Sequence, residues 1–113
     1  RLMDYWQGWR RTQSLNDCEG KCLAVKLGAE VADLSEPMRR ALEQGTGAIV
    51  ERIAAMLEAG AIDGSVVAFR DSKAVALSLY GLWVGASVLT KIHREPTPMD
   101  DALAHTERVL RPA

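Results

Sequence analysis

The stretch "AVALSLYGLWVGASVLT", Ala74 to Thr90, decides the fold of this chain, because it runs seventeen residues without a charge. That is close to the lower limit of about 17 apolar residues for a membrane span. Ser78, Ser87, Thr90 and the small residues Gly81, Gly85 and Ala86 dilute it, and a helix apolar on every side is more often one buried all round inside a protein. We therefore expect a buried helix and no membrane partner. Such a helix needs cover on several faces at once, more than a few short helices can supply, so we expect it to pair, together with the last helix, with the same two helices of a second subunit.

Downstream, "EPTP" breaks the chain and Thr97 with Pro98 opens a last helix, on which Met99, Leu103, Thr106 and Leu110 share one largely apolar face. Asp100 and Asp101 sit at its start and Arg108 and Arg111 at its end, as the helix dipole favours. Upstream, "AIDGSVVAFRD" is a turn-rich connection in which Asp71 or Ser72 caps the apolar helix, expected to run to about His93. Before it, Ser35 with Pro37 opens a long helix to about Ala59, ended by Gly60, with Leu42, Ile49, Ile53, Met56 and Leu57 near a 3.6-residue period. Gly45 and Gly47 in its middle suggest a bend or a close contact. A helix from about Cys22 to Asp33 precedes it, after the polar linker "SLNDCEGKC". The chain opens on "RLMDYWQGWRR", where Leu2, Tyr5, Trp6 and Trp9 fall at i, i+3, i+4 and i+7. No stretch reads as a strand. The expected fold is all-α, a bundle of about five helices forming one domain over residues 1–113, and the abrupt start suggests a longer protein whose other part lies upstream.

Composition narrows the function. A 113-residue chain with 48% hydrophobic and 26% charged residues is ordinary for one globular domain, and its formal charge of −1 offers no footprint for nucleic acid or anionic lipid. Two cysteines, Cys18 and Cys22, are too few for a disulfide framework and suit the cytoplasm. His93 and His105 are too isolated for a metal site, and no nucleophile-elbow, phosphate-loop or zinc pattern occurs, so no cofactor is expected.

Cys22 carries the most chemistry. It opens its helix, where the positive end of the dipole acts, with Lys21 beside it and Lys26 one turn on, an environment that favours the thiolate. A thiolate attacks electrophiles and is oxidised to sulfenic acid. The plainer reading is a small hydrophobe in a core. Whether Cys18 and Cys22 form a disulfide is open. Trp6, Trp9, Tyr80 and Trp83 are candidates to line a ligand pocket, with Glu30 a polar contact between apolar neighbours, although aromatics at helical spacing are core more often than pocket.

"CLAVKLGAEVADLSEPMR", Cys22 to Arg39, together with "LYGLWVGASVLTKI", Leu79 to Ile92, resembles the C-terminal regulatory domain of TetR-family transcriptional repressors, over roughly residues 20 to 110. The resemblance is closest to the branch of the N-ethylmaleimide-responsive repressor. It implies a homodimer joined through a four-helix bundle of the last two helices, operator DNA bound by a helix-turn-helix absent from this chain, and release by a small electrophile or apolar inducer. It also implies that Cys22 is the reactive sensor and that Lys91 corresponds to a lysine associated with it. Ala32 stands where that branch carries a second cysteine. The two apolar faces at the C-terminal end fit such a dimer, with Leu79, Leu82, Gly85, Ala86, Leu89, Met99, Leu103 and Leu110 expected at the contact. The competing classes are an all-helical thiol oxidoreductase of the alkylhydroperoxidase-like kind and a plain helical dimerisation module. The first is weakened by a C-x-x-x-C spacing where those enzymes have C-x-x-C, and by the lack of a histidine before His93. We expect no enzyme activity.

Overall fold

Ser35 begins the longest element of the structure, a computed structural model that describes residues 2–14 and 35–112. Among those residues there are four helices and no strand: α1 (Leu2–Ser14), α2 (Glu36–Asp63), α3 (Ser72–His93) and α4 (Thr97–Leu110). The helix expected from about Cys22 to Asp33 lies outside the described residues. All-α architecture is what the patterning demanded, and α3 is its centre, packed against both α2 and α4 while α1 lies against α2 and α4.

The caps follow the sequence signals. Ser35 is extended at φ −150°, and its hydroxyl accepts from the Met38 amide at 3.4 Å, with Pro37 in the first turn. Glu36 adds ion pairs to Arg39 at 2.8 Å and Arg40 at 3.2 Å. Asp71, not Ser72, caps α3 by accepting from the Ala74 amide at 3.1 Å. Arg94 closes α3 in the left-handed region at φ 55°, its amide donating to the Thr90 carbonyl at 2.8 Å.

Gly60 is the clear departure. It does not end α2, which continues to Asp63 and stops at Gly64, φ 86°. The physical reason is the returning chain: a Cβ on Gly60 would stand 2.6 Å from Cγ2 of Val66, and the Val66 amide donates to the Gly60 carbonyl at 3.1 Å. Glycine is needed there for close approach, whereas the left-handed turn that stops a helix falls four residues later. Gly45 and Gly47 make no close contact either, since nothing lies within 4 Å of a Cβ built on either one.

α3 has the length and hydropathy of a membrane span, yet Ala76, Leu79, Tyr80, Trp83, Ala86, Ser87 and Thr90 are buried inside the chain. Its sides away from the core keep Leu77, Leu89 and Ile92 exposed. Around α3 the core gathers Leu2, Trp6 and Trp9 from α1, Val50, Ile53 and Leu57 from α2, and Met99, Leu103 and Leu110 from α4.

Candidate functional site

Three features surround α3. The first is an aromatic cluster. Trp6 stacks on Trp83 with centroids 4.9 Å apart and planes at 14°, and Trp9 meets Tyr80 edge-on at 5.7 Å. Tyr5 closes the cluster at 4.9 Å from Trp6. Two indole N–H groups have dedicated acceptors: Trp9 Nε1 donates to Ser87 Oγ at 2.8 Å and Trp83 Nε1 to Thr106 Oγ1 at 2.9 Å. Both hydroxyls in turn donate to helix carbonyls one turn back, Ser87 to Trp83 and Thr106 to Ala102. A buried indole needs such a partner, because an orphaned donor costs about 1–3 kcal/mol. Trp6 Nε1 and Thr90 Oγ1 are buried without one among the described residues. Burial, and then the neighbouring Tyr80 hydroxyl, push the Tyr5 phenol up to about 12, and burial raises Tyr80 as well. Both therefore stay protonated at neutral pH.

The second feature is an open groove of about 780 Å³ between α3 and α4. Gly81, Leu82, Gly85, Ala86 and Leu89 form its apolar length, and Asp101, His105 and Arg108 line it from α4, with His93 at one end. The third is a cleft of about 470 Å³ between α2 and α3. Thr46, Gly47 and Val50 line it from α2 and Leu77 and Tyr80 from α3, with Glu43, Glu51 and Lys73 also lining it.

The expected site residues separate accordingly. Trp6, Trp9, Tyr80 and Trp83 are brought together, but as mutually packed core at 0%, 1%, 7% and 0% exposure. Of these only Tyr80 lines the cleft. Among the residues expected at a dimer contact, Leu79, Ala86, Met99, Leu103 and Leu110 are already buried within the chain. Gly85 and Leu89 remain exposed and Leu82 half-buried, all three along the groove. Lys91 is half-buried in the last turn of α3. Cys22, Lys26 and Glu30, with Cys18, lie outside the described residues. Sequence periodicity did not single out Ser87 and Thr106 as indole acceptors, nor Thr46, Gly47 and Lys73 as cleft residues. Each hydroxyl lies far along the chain from the indole it accepts, Ser87 from Trp9 and Thr106 from Trp83, so no local signal marked the first pair, whereas a glycine inside a helix was the available signal for Gly47.

Comparison with known proteins gives a consistent result. Residues 1–106 match the family profile described as "Tetracyclin repressor-like, C-terminal domain", a wider span than the two motifs suggest. The chain is 36% identical over 115 aligned residues to the HTH-type transcriptional repressor NemR of Escherichia coli strain K12, covering 97% of this chain and 55% of the relative. The same figures hold for NemR of E. coli O6:H1. The reduced form of E. coli NemR superposes with a TM-score of 0.88 at 34% identity, over 99% of this chain and 60% of that one. A transcriptional regulator of the TetR/AcrR family superposes with a TM-score of 0.81 at 32% identity, over 96% and 56%. The chain thus spans about half the length of the curated relatives it matches. Those relatives are repressors, not enzymes.

Proposed function

Because this chain belongs to the tetracycline-repressor-like family, matching its C-terminal domain, we propose that it is the regulatory part of a transcriptional repressor that senses a small electrophile, oxidant or apolar inducer and then releases its operator. The observation that carries this reading is the 36% identity to a transcriptional repressor across 97% of the chain. In this reading a helix-turn-helix outside the chain holds the DNA. Two copies join through the α3–α4 groove, and the protein works in the cytoplasm.

The chemistry of the sensor rests on Cys22. A thiolate there, expected from the sequence with Lys21 and Lys26 close along the chain, forms a sulfur–carbon bond with a Michael acceptor such as N-ethylmaleimide, whose alkene carbon then takes up a proton. Lys91 is the second residue assigned to this response. Modification changes operator affinity only insofar as the modified thiol favours one of two conformations over the other. In a protein that joins this domain to its DNA-binding part, Cys22→Ser is expected to keep operator binding and to lose release by N-ethylmaleimide, read by gel shift. Release at the wild-type dose from that variant removes Cys22 from the mechanism. The thiol-oxidoreductase alternative is not favoured, since the matched relatives are repressors.

A further inference from the structure

Among the described residues, the core takes nothing from α2 before Ile49. Val50, Ile53, Leu57 and Gly60 are the buried residues of that helix, and Ile49, Ala54 and Met56 pack against the cluster they belong to. The polar contacts of the first turns are local. Ser35 accepts from the Met38 amide, and Glu36, Arg39, Arg40 and Glu43 pair with one another three or four residues apart, at 2.8 Å, 3.2 Å and 3.4 Å. Residues 36–44 therefore form an arm whose cap and ion pairs are its own. The first ion pair among the described residues that ties α2 to another element is Glu51 with Lys73 of α3, at 3.1 Å.

Gly45, Thr46 and Gly47 stand between this arm and the anchored half. Glycine is a poor residue for a helix interior because it gives up the most backbone freedom there, and β-branched threonine is a weak helix former too. The Thr46 hydroxyl donates to the Leu42 carbonyl at 2.7 Å, one turn back, a bond that loosens and bends helices. No atom of the described residues lies within 4 Å of a Cβ built on either glycine, so close packing does not call for them. We propose that α2 is hinged at Gly45–Gly47, the arm bending as a unit against the half anchored from Ile49 onward, and that this bend is one of the differences between the operator-binding and released states. The hinge stands on the geometry alone, and its part in release rests on the sensing reading above. Such a bend breaks few hydrogen bonds, only those that cross the hinge, donated by roughly amides 45–50 to carbonyls four residues back. Bonds within the arm and within the anchored half survive it.

Amide hydrogen exchange in the 113-residue chain, followed residue by residue by NMR, reads the bend directly. Amides 45–50 should exchange about tenfold or more faster than amides 53–60, with slower exchange again at 40–44 on the arm side. Replacing both glycines, Gly45→Ala with Gly47→Ala, should slow amides 45–50 by about twenty-five-fold, about fivefold for each glycine, and leave amides 53–60 unchanged. Ala48→Gly, at an exposed position, should speed them about fivefold. Exchange that is even from 40 to 60, or that rises steadily toward Ser35 as fraying would make it, overturns the hinge. In a protein that joins this domain to its DNA-binding part, the paired alanine variant should bind operator as before and need about a fivefold higher dose of N-ethylmaleimide for release, read by gel shift. An unchanged dose overturns the hinge's part in release. If no electrophile releases the operator from the unsubstituted protein, the sensing reading has failed instead, and the exchange pattern still decides the hinge.

Discussion

Replacing Thr106 with valine asks whether the tryptophans of this domain are core or pocket wall. Thr106 and Trp83 are both fully buried, and the indole N–H donates to the threonine hydroxyl at 2.9 Å. Valine has nearly the same shape, so the substitution opens no cavity. It removes the acceptor and leaves a buried N–H unpaired, at about 1–3 kcal/mol. The added methyl returns at most about 0.8 kcal/mol of apolar burial. The hydroxyl's own bond to the Ala102 carbonyl matters little, because a mid-helix carbonyl keeps its backbone partner. The net expectation is a destabilisation of about 1–2 kcal/mol. Urea unfolding followed by far-ultraviolet circular dichroism measures it without relying on Trp83 as its own reporter. In a Trp83→Phe background the donor is gone, so the cost of Thr106→Val should disappear, and the difference between the two backgrounds isolates the bond. If the indoles lined a water-filled cavity, solvent would replace the hydroxyl and Thr106→Val would cost almost nothing. A loss below about 0.5 kcal/mol in the wild-type background would therefore refute the packed-core assignment.

Gly60→Ala should destabilise by up to about 2 kcal/mol, as overpacking against Val66 (about 1–3 kcal/mol) outweighs a propensity gain near 1 kcal/mol, whereas Gly45→Ala should stabilise by about that gain. Equal denaturation midpoints for the two variants would show that the Val66 contact yields freely. The alkaline limb follows from Tyr5: a phenol raised on folding holds its stabilising protonated form fully below the ordinary value of 10, and that contribution is lost as pH rises toward about 12. Tyrosinate absorbance and helicity recorded together should change in that window, and Tyr5→Phe should move the loss of helicity to higher pH. Gly85→Arg adds a Cβ with nothing among the described residues within 4 Å of it and places a charge in the α3–α4 groove. Sedimentation equilibrium should find a dimer for the unsubstituted chain and a monomer for this variant, and a variant that dimerises normally would move the interface elsewhere.

Helix positions were legible because they depend on local signals. Ser35, Pro37 and Asp71 act through atoms within three residues, so their capping role can be read from the order of residues alone. Gly60 shows where that stops. A glycine near the end of an apolar period reads as a stop, but what it accommodates is Val66 returning across a turn closed by Gly64, a contact fixed by tertiary geometry. The tryptophans show the same limit. Helical spacing placed Trp6 and Trp9 on one inward face, and both are buried, yet whether they and Trp83 face a ligand or each other depends on the angle at which α1 meets α3. The 14° stack of Trp6 on Trp83 is a property of that packing.

Gly81 and Gly85 separate what the chain does for itself from what it offers to others. Each costs a helix about 1 kcal/mol relative to alanine. Among the described residues nothing requires either one, since both are exposed and no atom of those residues lies within 4 Å of a Cβ built on either. Gly60, by contrast, is needed by a neighbour 2.6 Å away. A glycine pair one turn apart on the most apolar helix, flanked by Leu82 and by Leu89 at 46% exposure, therefore weakens α3 with no compensating contact among the described residues. In the dimer proposed above, a second copy seated in the groove would supply that compensation, because two helices approach closest where no side chain stands. The proposed dimer would also account for α3 being apolar beyond its buried face: Tyr80 and Trp83 serve the core, and the stripe that includes Gly81, Gly85 and Leu89 lines the open groove.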